Sequence, residues 1–255
     1  MSDPFASPKR RIVRARQHIE NIKTGVSTFF QSQPYAQVAE RNARGFEEHK
    51  IKLTRPIPDE LTDLAYEAIE ALRSALDQAV HPIAIACGVS RPDLIYFPIT
   101  DNTADFENIL NGRGMKDLPQ EIVGLFRSFH QYQNGNELIW ALNRVRRQGI
   151  HRLIVPVGTI NGRIVGNFEI SSPMPLTVYD SPKWDNEKNE VIYAVTGPRS
   201  NLQYNFEINF YIVFGQVEGT IAGEPMIETL EDISAEVERI VLAIETESRR
   251  LSIVN

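Results

Sequence analysis

Two groups of charged side chains in this 255-residue chain have residue types and spacings that suit chemistry. The first is Arg73 and Asp77, which stand four positions apart in a segment with helical periodicity. Residues with this spacing lie on one face of a helix and can form an ion pair. Both flank an apolar stripe, so we expect partial burial, where an arginine needs a charged partner. The pair would either orient its helix, which is the simpler interpretation, or line a polar cleft.

The second group is an arginine-rich segment that leads into His151. Residues 138–168 contain no acidic side chain, and the segment carries these polar residues: Asn143, Arg144, Arg146, Arg147, Arg152 and Arg163. Guanidinium groups bind phosphate and carboxylate through paired, planar donors. One interpretation is therefore a contact with RNA or another anion at 144–152, with His151 as the candidate for proton transfer. The other is that these arginines pair with the protein's own carboxylates, including those near its C-terminus.

Sequence motifs for known catalytic or metal sites are missing. The chain has no G-x-x-x-x-G-K-[ST], G-x-G-x-x-G, G-x-S-x-G, H-E-x-x-H or C-x-x-C pattern. Its five histidines are scattered without the spacing of metal ligands. We therefore expect no metal and no cofactor, and the sequence leaves open whether the chain is an enzyme.

The composition of the chain indicates which partners and which cellular compartment to expect. The net charge of −6 gives no reason to expect tight binding to DNA or to an anionic membrane. Cys87 is the single cysteine, so it cannot form an internal disulfide, and secretion finds no support. No apolar run approaches the ~18 residues of a membrane span, and residues 1–17 lack the apolar region of a signal peptide. We predict a cytoplasmic protein.

Two amphipathic helices of opposite charge are predicted near the ends of the chain. Residues 8–30 combine an apolar stripe with a basic face, and Ser7 is the predicted cap. Residues 229–247 combine an apolar stripe with an acidic face. We predict that they pack side by side, within one chain or across a homo-oligomer, with the apolar seam supplying most of the energy. The alternative is that each packs separately on the sheet.

The remaining patterns predict a mixture of helices and strands. The sequence indicates a hairpin at 35–54 and a central helix at 61–80 that Pro82 ends or kinks. Shorter helices are predicted at 103–110, 119–132 and 137–147. Further strands are predicted at 152–160, 163–171, 176–180, 190–196 and 202–214. The first two of these flank Asn161-Gly162, which is the strongest hairpin signal in the chain.

These elements predict a single α+β domain over residues 1–255. Its helical part, about 1–150, should cover an antiparallel sheet of about five strands drawn mainly from 152–215. The β-rich part would run over about 151–216, before the C-terminal helix. The hairpin at 35–54 would join an edge of this sheet or form a small flap.

Several short segments follow one another in a recognisable order: Arg55-Pro56-Ile57-Pro58, Leu72-Arg73-Ser74-Ala75-Leu76-Asp77, Phe97-Pro98-Ile99, Gln131-Tyr132, Leu142-Asn143 and His151-Arg152. In this order the chain resembles a widespread group of uncharacterised bacterial proteins, over most of its length. The resemblance implies a bacterial, cytoplasmic origin and no particular reaction. The group has a histidine where this chain has Gln78, and Asp-Lys where it has Gly149 and Ile150. Both departures remove ionisable groups, which implies a partial loss of any catalytic site.

The group's helical arginine and histidine, with four residues between them, are similar to the R-x4-6-H motif of HEPN ribonucleases. Those enzymes act on RNA phosphodiester bonds without a metal. Gln78 removes the motif at Arg73, although the same spacing recurs at Arg146 and His151. Gly149 interrupts the helix that this second motif needs, and HEPN domains lack a long antiparallel sheet.

Two functional hypotheses follow from the sequence. The first is a non-catalytic binding or scaffold protein, because no catalytic motif is present and ionisable groups are replaced at Gln78, Gly149 and Ile150. The second is a metal-independent ribonuclease or phosphate-handling protein that uses the arginine-rich segment and His151. A small-molecule enzyme with a cleft between helices and sheet is a third class, for which the sequence suggests no substrate.

Overall fold

A computed structural model of the chain describes residues 3–112, 114–148, 157–160, 166–171, 177–179, 184–185, 187–198, 201–206, 210–214 and 221–254. Within these residues the fold is α+β, as predicted, with six α-helices and nine strands. The helices are α1 (Ala6–Gln31), α2 (Asp59–Ala86), α3 (Thr103–Leu110), α4 (Gln120–Ser128), α5 (Glu137–Gln148) and α6 (Met226–Arg250). The strands are β1 (Tyr35–Arg41), β2 (Glu47–Leu53), β3 (Val157–Ile160), β4 (Gly166–Ser171), β5 (Thr177–Val178), β6 (Trp184–Asp185), β7 (Glu190–Thr196), β8 (Asn201–Phe206) and β9 (Phe210–Val213).

Helix α2 is the centre of the helical layer. Its broad apolar face is buried against α1, α5 and α6, and residues such as Leu72 and Leu76 are fully inaccessible to solvent. The helix is longer than the sequence indicates, because it continues through Pro82 to Ala86. Proline removes one helical donor, but the burial of Ile83 and Ala84 on the same face supports the additional turn.

The predicted pairing of the two terminal helices is confirmed within one chain. Helices α1 and α6 lie side by side, and both bury their apolar stripes in the main hydrophobic core. Three ion pairs, spaced seven residues apart on each helix, join their charged faces at 2.6–2.7 Å: Lys9 with Glu245, Arg16 with Glu238 and Lys23 with Glu231. The pairing therefore uses apolar and charged positions with the same heptad repeat.

The predicted cap of α1 is wrong. The helix begins at Ala6, and Phe5 occupies the position before it. Phe5 is fully buried, and its N–H donates to Asp3 Oδ1 at 3.0 Å. The Ser7 hydroxyl lies inside the helix and donates instead to Gln78 Oε1 at 2.8 Å. Burial of the phenylalanine moves the start of the helix upstream of the serine.

The main sheet has five antiparallel strands, in the order β1-β2-β7-β5, with β6 also paired to β7. The hairpin of β1 and β2 joins the sheet at its edge, which is one of the two predicted arrangements. The expectation that residues 152–215 supply most of the sheet is confirmed, since they contribute three of its five strands and the hairpin contributes β1 and β2. Ile51 and Tyr193 pack in a small core of this sheet.

The hairpin predicted around Asn161-Gly162 is not found among the described strands. β3 pairs with β9 and β4 pairs with β8, each in antiparallel register. The two pairings are nested in sequence and form two separate two-stranded sheets among the described residues. Asn161 and Gly162 themselves lie outside the described residues. The turn signal is local, whereas the ladder of β4 with β8 joins six residue pairs that are distant in sequence.

The side-chain amide of Gln131 is fully buried, and its replacement by an apolar side chain is expected to stabilise the protein. Gln131 has 0% of its surface exposed, and neither its side-chain oxygen nor its nitrogen has a hydrogen-bond partner in the described part of the chain. An unmet buried polar group costs about 1–3 kcal/mol. We therefore expect Gln131→Met to raise the free energy of unfolding by ~1 kcal/mol, measured by urea denaturation. Gln131→Glu is the control and should destabilise, and a loss of stability in the methionine variant would contradict this prediction.

In the described residues, no helix is both long enough and apolar enough to cross a membrane.

Candidate functional site

Arg73 and Asp77 form the predicted ion pair on α2. Nη1 of Arg73 lies 2.7 Å from Oδ1 of Asp77. Both side chains also bind the backbone of Phe97. Nη2 of Arg73 donates to the carbonyl of Phe97, and the N–H of Phe97 donates to Oδ1 of Asp77, each at 3.0 Å. The pair thus fixes an extended segment, residues 95–99, against the central helix.

The ion pair is buried and only partly compensated. Arg73 is 6% exposed, and its Nε has no acceptor among the described residues. Burial lowers the pKa of Arg73, and the charge of Asp77 opposes that shift. Burial likewise raises the pKa of Asp77, and the charge of Arg73 opposes it. In both groups the effect of burial on the pKa is therefore larger than that of the opposite charge.

An open cleft of about 610 Å³ lies beside this pair. One wall is α2 and another is the extended segment with Phe97. Ile109 at the end of α3 and Met115 close a further side. Gly114 has φ of +92°, and a Cβ there would overlap the side chain of Ile95 in the wall. Because glycine has no Cβ, this turn can lie directly against Ile95 in the wall of the cleft.

Arg146 brings the second predicted group to the same cleft. It lies in the last turn of α5 and lines the cleft together with Arg73 and Asp77. Its Nε donates to both carboxylate oxygens of Glu70, at 3.0 and 3.1 Å. Glu70 also accepts the hydroxyl of Tyr66 at 3.0 Å. Arg146 is thus oriented by a network on α2 while remaining at the surface.

The other predicted binding residues lie elsewhere. Asn143 is buried and Arg144 is partly buried, and neither is among the described residues that line the cleft. Nη1 of Arg147 lies 3.5 Å from Oδ2 of Asp101. The interpretation in which the arginines pair with the protein's own carboxylates is confirmed for Arg146 and Arg147. Their partners are on α2 and at residue 101 rather than on α6.

Two predicted residues fall outside the described part of the chain. These are His151, the candidate for proton transfer, and Arg152. The structure therefore brings together three of the residues that the sequence singled out, namely Arg73, Asp77 and Arg146.

The apolar walls were missed by sequence reasoning. Phe97-Pro98-Ile99 belongs to the segments that carry the resemblance, which was the only signal for this wall. Leu94, Tyr96 and Ile109 are exposed apolar residues at the cleft, and no spacing rule identifies them. They belong to short elements, in which periodicity carries little information.

No cluster of three or more potential metal ligands occurs among the described residues. Comparison of the chain with protein-family models, with curated proteins and with solved structures gave no match.

Proposed function

We propose that this chain is a bacterial, cytoplasmic binding protein that holds a small organic ligand in the cleft beside Arg73. The observation that carries the proposal is an open cavity at which two guanidinium groups, those of Arg73 and Arg146, are held in place by carboxylates beside exposed apolar side chains. A ligand there would meet groups that are already oriented and would cover apolar surface.

The form of the cleft supports this proposal. Ligand sites are concave, mostly apolar and oriented by a few polar groups, with volumes of roughly 300–1,000 Å³. The cleft of about 610 Å³ falls in this range and is lined mainly by apolar side chains. Its three charged residues are held by the core or by Glu70, so a ligand would meet groups that are already oriented.

The chemistry of the lining favours binding over catalysis. Among the described lining residues there is no histidine, cysteine, serine or lysine to serve as nucleophile or base. Asp77 is the one carboxylate there, and it already accepts the N–H of Phe97 and neutralises Arg73. General-base catalysis requires a group free to take a proton near the operating pH.

Origin and compartment rest on sequence observations. The resemblance to a bacterial group supports the first, and the single Cys87 is in keeping with a reducing compartment.

A metal-independent nuclease or phosphate-handling protein is the second candidate. Two arginines at one cleft, Arg73 and Arg146, favour it because guanidinium groups bind phosphate well. Incubation with labelled single-stranded RNA in EDTA distinguishes the two. Cleavage by the wild-type protein that is lost in His151→Ala would replace the binding proposal with this one.

Filling the cleft is expected to abolish ligand binding. Ile109 is an exposed side chain at the cleft, so Ile109→Trp adds bulk there without disturbing the buried ion pair. We expect compounds that bind the wild-type protein to lose at least about tenfold in affinity, since an occupied pocket cannot accept them. The measurement is ¹⁵N–¹H NMR titration with a mixed library of acids, amines and neutral compounds.

The matched control is Leu242→Trp, an equally exposed position on α6. It should leave every affinity unchanged. The proposal fails if no library compound binds, or if the binders are insensitive to Ile109→Trp.

A further inference from the structure

We infer that the ligand of the cleft is an amphipathic monocarboxylate, a small organic acid with an apolar chain or ring. Its carboxylate would contact Arg146, and its apolar part would cover Leu94, Tyr96 and Ile109. This inference rests on the proposed binding function and specifies its chemistry.

The charge of the lining matches a monoanion. Two guanidinium groups and one carboxylate, those of Arg73, Arg146 and Asp77, give the described lining a net charge of +1. A monocarboxylate brings the lining itself to neutrality, and Glu70, which pairs with Arg146 from outside the lining, adds one negative charge nearby. A phosphate dianion would leave excess negative charge next to Asp77 and close to Glu70, and like charges at short range repel. A cationic ligand would meet two arginines.

The available donors suit a planar carboxylate. Arg146 engages Glu70 through Nε alone, so within the described residues its two Nη groups make no hydrogen bond. A carboxylate accepts such donors in pairs, and these charge-assisted bonds are stronger than neutral ones. Glu70 can keep its place while the ligand binds the opposite edge of Arg146.

The rim of the cleft requires an apolar partner. Leu94, Tyr96 and Ile109 are between 41% and 57% exposed, although most large apolar side chains of the described chain are buried. All three line this one cleft. Apolar surface that is grouped in this way marks interaction sites, and covering it is favourable in proportion to the area removed from water. A simple inorganic anion would leave these side chains in water.

The test uses probes that differ in one property at a time. Octanoate and 3-phenylpropanoate carry both features, whereas octanamide and 3-phenylpropanamide lack the charge and acetate lacks the apolar part. Phenyl phosphate replaces the carboxylate by a dianion. Affinities are measured by ¹⁵N–¹H NMR titration of the full chain, including the arginine Nε–Hε resonances. We expect at least one of the two acids to bind at least about tenfold more tightly than its amide, than acetate and than phenyl phosphate.

Two arginine variants test where the carboxylate binds. Arg146→Gln should reduce the preference for acid over amide to less than about threefold. Arg127→Gln is the matched control, because Arg127 is a similarly exposed arginine that pairs with a glutamate, Glu107, but is not among the residues that line the cleft. It should leave the preference unchanged.

The outcomes separate this inference from the proposed function. Equal binding of acids and amides, tighter binding of phenyl phosphate, or a preference that survives Arg146→Gln overturns the carboxylate assignment. In each of these cases, sensitivity to Ile109→Trp would still support a binding cleft. If no probe or library compound binds in a manner that Ile109→Trp removes, the proposed function itself fails.

Discussion

Replacing Asp77 by alanine should lower the free energy of unfolding by about 3–5 kcal/mol. The change leaves the guanidinium of Arg73, which is 6% exposed, without its only charged partner within 4 Å in the described chain. It also removes the acceptor of the Phe97 N–H. Breaking one side of a buried ion pair is costly because the remaining charge has lost both water and partner. Urea denaturation of the purified variants measures the effect.

A double variant separates the charge effect from the loss of packing. Arg73→Met combined with Asp77→Leu replaces the whole pair by apolar groups of similar volume, which is often close to neutral. We expect the double variant to be more stable than Asp77→Ala alone. Asp77→Asn keeps an acceptor for Phe97 and should lie between them. Equal destabilisation by the single and double changes would show that packing, not charge, determines the cost.

The second large effect is expected at the apolar seam of the terminal helices. Ile240 lies in the apolar stripe of α6 and is fully buried in the main core. Ile240→Ala should cost about 2–5 kcal/mol, from lost burial and from the cavity that remains. Chemical denaturation with an unchanged m-value would show that the native state itself has lost stability.

The matched control is Glu238→Ala, a change two positions away on the same helix. Glu238 pairs with Arg16 at 2.6 Å, but both side chains are exposed. An exposed ion pair contributes only about 0–1 kcal/mol. A cost for Glu238→Ala that equals or exceeds that of Ile240→Ala would contradict the view that the apolar seam holds the helices together.

The helices were predictable because their signal is contained in each segment. The stripes of α1, α2 and α6 repeat every three or four residues over many turns, and they predict the correct elements within two or three residues at each end, except that α2 continues six residues further. Strand pairing depends instead on residues far apart in sequence. The Asn161-Gly162 signal indicated a local hairpin, but β3 and β4 pair with the distant strands β9 and β8.

The candidate site was predictable to the extent that it lies on one helix. The spacing of Arg73 and Asp77 on α2 was sufficient to predict their ion pair. Arg146 was singled out by its charge, but its place beside them arises from the packing of α5 on α2. The segment of Phe97 has no periodic pattern, because its course is set by hydrogen bonds to Arg73 and Asp77. Such tertiary constraints leave little trace in the local sequence.

The heptad ladder between α1 and α6 has a consequence for how the two helices find each other. Sliding one helix by seven residues, about 10 Å at 1.5 Å per residue, would break the three ion pairs but allow two new ones, Lys9 with Glu238 and Arg16 with Glu231. The charges therefore select the partner helix but discriminate weakly between neighbouring registers. We therefore expect the native register to be selected at the ends of the pair, by the burial of Phe5 and by the contact of Asp3 with Arg249 at 2.9 Å.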